Sequence, residues 1–168
     1  LNYKNDTTIF LALEAQKQGS KIFYYEPKNI FIINNQIYAH GNFIKLYDQK
    51  KFYKLLSKKK INLEKSSYLL VRQDPPFNIN YVTTTYFLDR LKGVKIINNP
   101  TSIRNVSEKL YSYEFKKYMP PTIFTSRNLD IISFIKQNKL SVLKPINGHG
   151  GNNIKLLKGR INKTFLNK

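Results

Sequence analysis

Hydrophobic positions near the start of the chain change from helical to strand-like spacing. Asp6 and two threonines precede an apolar stretch that ends at Gly19, which predicts a capped helix. Helical spacing returns over 79–91. Compact apolar runs that predict strands lie at 21–25, 68–72 and 95–98. This alternation favours the α/β class, as an open N-terminal domain with a mainly parallel sheet.

The segment after the first strand contains two different patterns. Apolar runs at 30–33 and 36–39 flank Asn34 and Asn35, and this pair predicts a hairpin turn because Asn tolerates positive φ. Over 40–66 the pattern is weak. We expect a helix over 49–56, followed by a solvated loop with the densest lysine cluster, Lys58 to Lys60.

A proline pair marks the predicted domain boundary. Pro120 and Pro121 follow Met119 and interrupt regular structure, so we place one domain over 1–118 and a second over 119–168. The second domain is predicted to contain a helix capped by Asn128 that ends near 138. Its predicted strands lie at 122–124, 141–144 and 154–157.

Composition narrows the class of protein. The net charge of +19 would favour a polyanionic partner, but 24 Lys, 5 Arg, 19 Asn and 19 Ile indicate a composition bias spread over solvated faces. We therefore expect no specific nucleic-acid partner. The absence of Cys excludes a disulfide and a thiolate site within this chain. Because no apolar run reaches about 18 residues, we expect no membrane span and a cytoplasmic location.

A glycine-rich loop is the most informative local feature. Gly148, Gly150 and Gly151 follow Lys144, which ends a predicted strand. Glycines let backbone N–H groups approach an anion closely, and a lysine beside them favours phosphate. The segment lacks the P-loop and dinucleotide-binding patterns, because a strand and not a helix follows it. An ordinary glycine-rich hairpin is the alternative.

A second lysine adds to this interpretation. Lys109 follows Glu108 in a segment where Ser107 fits a helix N-cap, which by itself explains the local pattern. Lys109 gains functional interest because Lys144 would supply a second ammonium group for the same triphosphate.

Short motifs, taken in order, carry a resemblance to a known family. Each is weak alone, but their order and spacing from residue 2 to about 157 are specific. The motifs are Asn5-Asp6-Thr7-Thr8 with Leu13-Glu14-Ala15-Gln16, Phe23-Tyr24-Tyr25-Glu26, Arg72-Gln73-Asp74-Pro75-Pro76-Phe77, Ile97-Asn98-Asn99-Pro100-Thr101-Ser102-Ile103-Arg104, Glu108-Lys109-Leu110, and Leu143-Lys144-Pro145 with Gly148-His149-Gly150-Gly151. In these stretches the chain resembles the prokaryotic glutathione synthetases.

The resemblance implies an N-terminal pre-ATP-grasp domain followed by the beginning of an ATP-grasp domain. It implies ATP-dependent ligation of γ-glutamylcysteine to glycine through an acyl phosphate, with Mg²⁺ or Mn²⁺, in a homotetramer. The lysines and glycines named above would contact ATP. Asp6, Thr7 and Arg72 would line the dipeptide pocket, although a helix cap and a strand end explain them equally well.

The resemblance also implies what the chain lacks. The family's adenine-contacting hinge, metal ligands and acyl-phosphate arginines would lie beyond Lys168, and its first strand before Leu1. We therefore expect a truncated chain that is inactive by itself. Asn147 stands where the family often has an acidic residue and His149 stands in a variable position, so no catalytic residue and no metal ligand is assigned.

Two other functions stay open at this point. Another ATP-grasp carboxylate–amine ligase would account for the lysines and glycines but not for 72–77 or 98–104. A basic nucleic-acid-binding protein would bind polyanions with steep salt dependence.

Overall fold

The computed structural model describes residues 6–48 and 52–159. The chain divides into two compact units, one that ends at Arg104 and one that begins at Asn105. The predicted boundary at residues 118 and 119 lies inside the second unit and stays a prediction. The helices are α1 (Thr7–Lys17), α2 (Ile79–Asp89), α3 (Pro100–Asn105) and α4 (Asn128–Asn138). The strands are β1 (Ile22–Tyr24), β2 (Ile30–Ile33), β3 (Gln36–Leu46), β4 (Tyr53–Asn62), β5 (Tyr68–Leu70), β6 (Lys95–Ile97), β7 (Leu140–Leu143) and β8 (Lys155–Lys158).

The first helix begins at the predicted cap. The Asp6 carboxylate accepts hydrogen bonds from the backbone N–H groups of Thr8, at 2.8 Å, and Ile9, at 3.2 Å. These bonds satisfy donors that have no partner inside the helix. The chain leaves α1 through Gly19, whose φ is +88°. The predicted capped helix is therefore confirmed; Asn5, which precedes it, lies outside the described residues.

The mainly parallel sheet predicted for the first unit is wrong. Strands β1, β2 and β4 all pair with β3 in antiparallel register. Asn34 and Asn35 form the predicted turn at φ of +49° and +58°, and so short a connection can join only antiparallel strands. The parallel pair among the described residues of this unit is β5 with β6, which the helix α2 separates along the chain.

The prediction for the segment 40–66 is also wrong. A helix was expected over 49–56, but β4 occupies Tyr53–Asn62, and 49–51 lie outside the described residues. The lysine cluster is thus part of a strand and not of a loop. Pairing with the long strand β3 decides the conformation, because it satisfies the backbone of a segment whose own pattern is weak.

The core of the first unit lies between the antiparallel sheet and the β5–α2–β6 segment. Ile37 and Ala39 of β3 pack in one buried cluster with Leu63, Leu69 and Leu88. The predicted strands over 68–72 and 95–98 and the helix over 79–91 are confirmed, each shorter by one or two residues.

The second unit matches the prediction in part. The helix α4 and the strands β7 and β8 are present, and the two strands pair in antiparallel register. The strand predicted over 122–124 is wrong, because those residues have no regular structure. A 3₁₀ helix spans Tyr111–Tyr118, and Leu110, not Ser107, occupies its N-cap position. Arg127 occupies the N-cap position of α4, where Asn128 was expected.

Tyr25 gives the first unit a testable response to alkaline pH. Its ring packs against the buried cluster, and burial raises the pKa of its phenol. A raised pKa means that the folded state favours the neutral phenol. This contribution to stability is complete below the unfolded pKa of about 10 and is lost as pH rises above it. We expect Tyr25→Phe to reduce the alkaline loss of stability in urea titrations between pH 8 and pH 11. Equal losses in both proteins would contradict this assignment.

Candidate functional site

The glycine-rich loop joins β7 to β8, as the sequence predicted. Gly150 and Gly151 have φ of +58° and +75°, in the region where side chains are rarely tolerated, and Asn153 has +57°. The loop folds on itself through backbone hydrogen bonds from Gly148 to Pro145 and from Asn152 to His149, both 3.1 Å long. Its conformation is therefore set by backbone geometry that glycine permits.

Gly148 is required for a different reason, which is close packing against Pro145. A Cβ atom at this position would lie 2.6 Å from Cγ of Pro145 and 3.3 Å from its carbonyl oxygen. No flexible side chain is available to move aside, so any larger residue would have to displace the turn. In contrast, a Cβ at Gly151 would meet nothing within 4 Å, and only its φ disfavours substitution.

Lys109 lies directly against this loop. Its Nζ donates a 2.5 Å hydrogen bond to the carbonyl oxygen of Gly148 and lies 3.4 Å from Oε1 of Glu108. The side chain of Lys109 is 19% exposed. The structure thus brings together a predicted lysine and a predicted glycine that are 39 residues apart along the chain.

Lys144 is placed differently. It follows the last residue of β7 and is exposed at the start of the loop. A partly buried ammonium group beside the loop, an exposed one at its entrance, and a glycine-rich backbone are suited to an anion with several negative oxygens. The described residues of this unit therefore define a candidate phosphate-binding loop.

The hydrogen bond from Lys109 to Gly148 is expected to protect the loop from amide hydrogen exchange. Replacing Lys109 by Gln removes a charged donor, and such hydrogen bonds contribute about 1.5 to 3 kcal/mol. We expect amide hydrogen exchange over 148–153 to accelerate at least about tenfold in the 168-residue chain. Lys158→Gln, an exposed lysine on β8, is the matched control and should leave the exchange rate unchanged. Equal exchange in Lys109→Gln and the unsubstituted chain would contradict the contact.

The other predicted site residues meet in the first unit. The Arg72 guanidinium donates from Nη2 to Oγ1 of Thr7, at 2.7 Å, and from Nε to Oγ1 of Thr8, at 3.0 Å. Because Asp6 caps the same turn of α1, all three predicted dipeptide-pocket residues lie at one place. Arg72 remains exposed, so its guanidinium still has N–H groups available on its outer side.

Sequence reasoning did not assign three residues of this region. Thr8 anchors Arg72, and the pKa of Tyr81 is raised by burial and by Asp74, while Arg72 acts to lower it. Tyr81 and Asp74 therefore belong to the electrostatic surroundings of Arg72. Thr8 and Asp74 belong to the motifs named above, whereas the sequence around Tyr81 predicted only a helix.

The described part of the chain shows neither a metal-binding cluster nor a membrane-spanning helix. Among residues 6–48 and 52–159, His, Asp and Glu side chains form no group of three or more that could hold a metal ion. No helix in this part of the chain has both the length and the apolar character needed to cross a bilayer.

The glycine loop after a strand-ending lysine is a candidate phosphate site of the kind that nucleotide-dependent enzymes use, and comparisons with known proteins point to the same class. Residues 108–166 match the model of the prokaryotic glutathione synthetase ATP-grasp domain. Residues 1–104 match the model of the N-terminal domain of the same enzymes. The chain therefore belongs to the prokaryotic glutathione synthetase family.

Curated relatives show the same relationship. Glutathione synthetase of Wigglesworthia glossinidia brevipalpis is 38% identical over 157 residues, which are 92% of this chain and 49% of the relative. The enzyme of Rhodopseudomonas palustris is 35% identical over 153 residues, 90% of this chain and 49% of the relative. The chain spans about half the length of the curated relatives it matches.

Proposed function

We propose that this chain supplies one half of a glutathione synthase, an ATP-dependent carboxylate–amine ligase. In the proposed reaction ATP transfers its terminal phosphoryl group to the cysteinyl carboxylate of γ-glutamylcysteine. The amine of glycine then attacks the acyl phosphate, and glutathione, ADP and phosphate result. The observation that supports this proposal best is the contact of Lys109 with the glycine loop that follows Lys144.

The roles proposed for these residues are electrostatic. The two ammonium groups of Lys109 and Lys144 offset negative charge on the transferred phosphoryl group, and the loop N–H groups of Gly150 and Gly151 orient the phosphates. Gly148 serves the same ATP site by allowing the tight turn over Pro145. Positioning and charge stabilisation account for most of the catalysis of phosphoryl transfer, so no side chain here needs to form a covalent bond.

The dipeptide is proposed to bind in the first unit. Arg72, held by the hydroxyl groups of Thr7 and Thr8, is suited to pairing with a substrate carboxylate, because a guanidinium presents two parallel donors. Asp6 holds the end of α1 and so fixes the position of Thr7. Nothing here requires Asp6 to contact the substrate directly.

The proposal for the divalent metal names no ligand in this chain. The described residues contain no cluster that fits Mg²⁺ or Mn²⁺, which take several oxygen ligands, so no step is assigned to a metal held by them. We propose that the ion accompanies ATP. We also propose a cytoplasmic enzyme that assembles as a homotetramer when complete.

A hybrid enzyme tests the proposed function. In it, this chain replaces the matched half of the Wigglesworthia glutathione synthetase, and glutathione, ADP and phosphate are measured by chromatography. We expect equal amounts of all three, formed only when γ-glutamylcysteine, glycine and ATP are present together. The 168-residue chain alone should form no glutathione. A folded hybrid that joins other carboxylates and amines but not these would assign the chain to a different ligase.

A further inference from the structure

One face of the antiparallel sheet carries none of the residues proposed for the ligase site. Residues that pair directly across neighbouring strands have their side chains on the same side of a sheet. The register places Tyr24 beside Asn42, Phe31 beside Tyr38, His40 beside Lys60, and Asn42 beside Lys58. Ile37 and Ala39 occupy the other side, in the core. We call the side opposite the core the outer face; its members are Tyr24, Phe31, Tyr38, His40, Lys58 and Lys60.

Several aromatic rings lie on the outer face. The Phe31 ring stacks on His40 with centroids 4.9 Å apart and on Tyr38 with centroids 5.7 Å apart. Tyr24 lies on the same face at another strand and is 54% exposed. His40 is also exposed, whereas Phe31 and Tyr38 are half-buried and stack on each other. An exposed ring can stack with any nucleobase, since every base presents a π-face.

Cations lie among these rings. Nζ of Lys60 lies 5.1 Å from the centroid of the Tyr38 ring. Lys58, two positions earlier and about 6.6 Å along the strand, lines a concavity of about 610 Å³ together with Tyr24 and His40. Glu26 also lines this concavity, but its carboxylate is 2.6 Å from Nζ of Lys28, so that pair has no net charge. The outer face is therefore aromatic and positively charged.

We propose that the outer face binds single-stranded nucleic acid without base specificity. Open rings for base stacking and a row of lysines that follows the backbone are the two features that such binding needs. A duplex keeps its bases stacked on one another and could use only the lysines, so the rings favour a single strand. This activity is separate from the proposed ligase and does not depend on it.

Salt dependence of binding tests the part played by the lysines. The 168-residue chain is titrated into fluorescein-labelled oligouridylate and oligothymidylate at several KCl concentrations, with anisotropy as the readout. For single strands each phosphate contact contributes about 0.7 to the slope of log affinity against log salt. Lys58→Gln/Lys60→Gln should therefore lower the slope by about 1.4. The control Lys92→Gln/Lys116→Gln removes the same charge from two other exposed positions and should leave the slope unchanged.

Ring substitution tests the stacking. Tyr24→Leu keeps an apolar side chain on the sheet but removes an exposed ring, and it should weaken binding about tenfold with an unchanged salt slope. Circular dichroism establishes that each variant is folded. The proposal is overturned by absent binding, by equal losses in the two double-lysine variants, or by duplex binding as tight as single-strand binding. It is equally overturned if Tyr24→Leu binds as tightly as the unsubstituted chain.

Discussion

Replacing Lys144 by Ala in the hybrid enzyme is expected to lower the rate of glutathione formation about a hundredfold or more. Losing one preorganised charge at a reacting group costs this much in enzymes that act by electrostatic stabilisation. Lys144 is exposed and follows the end of β7, so its replacement leaves no cavity and should not unfold the protein. The rate is measured from glutathione released with all three substrates saturating.

Lys158→Ala is the matched control for this prediction. It removes an exposed lysine from β8, the strand paired with β7, and should retain nearly the full rate. Lys144→Arg separates charge from shape, because it keeps the cation but changes its geometry. Full activity in Lys144→Ala, with ATP still consumed at the original rate, would remove Lys144 from the site.

Replacing Arg104 by Ala is expected to destabilise the first unit by about 3 kcal/mol. Its guanidinium forms an ion pair with Asp89, donates to Oγ1 of Thr85 at 3.0 Å, and lies 4.4 Å from the Tyr86 ring centroid. Thr85 is fully buried, and the Arg104 side chain is only 15% exposed. Removing one partner of such a pair leaves the other charge poorly solvated, which costs about 3 to 5 kcal/mol when burial is complete.

The structure supplies an internal control for Arg104. Arg127 also pairs with an aspartate, Asp130, but at 3.9 Å and with its side chain 73% exposed. Exposed pairs contribute at most about 1 kcal/mol, so Arg127→Ala should have a small effect. Urea unfolding of the 168-residue chain, followed by circular dichroism, measures both. Midpoint shifts of the same size in the two variants would contradict the predicted stabilisation by the contacts of Arg104.

Features fixed by short-range chemistry could be predicted from the sequence. The Asp6 cap and the Asn34–Asn35 turn each depend on a few neighbouring atoms, and both are confirmed. The glycine loop between two strands is confirmed for the same reason, since its glycines permit backbone angles that other residues avoid.

Features that depend on distant parts of the chain could not be predicted. β4 forms because β3 offers its unpaired edge, and nothing in 49–62 alone indicates this. The predicted turn accounts for the antiparallel pairing of β2 with β3, whereas the pairing of β1 with β3 depends on residues farther apart along the chain. The hydrogen bonds from Lys109 to Gly148 and from Arg72 to Thr7 span 39 and 65 positions. Motif order placed these residues in one family, but only the fold places them in contact.

Isotope transfer in the hybrid enzyme tests most directly whether this chain serves a ligase that activates a carboxylate as an acyl phosphate. γ-Glutamylcysteine labelled with oxygen-18 in its cysteinyl carboxylate is converted with ATP and glycine, and the released phosphate is analysed by mass spectrometry. One labelled oxygen in each phosphate, formed together with one glutathione, is the predicted result. Unlabelled phosphate, or phosphate released without glutathione, would contradict ligation through an acyl phosphate.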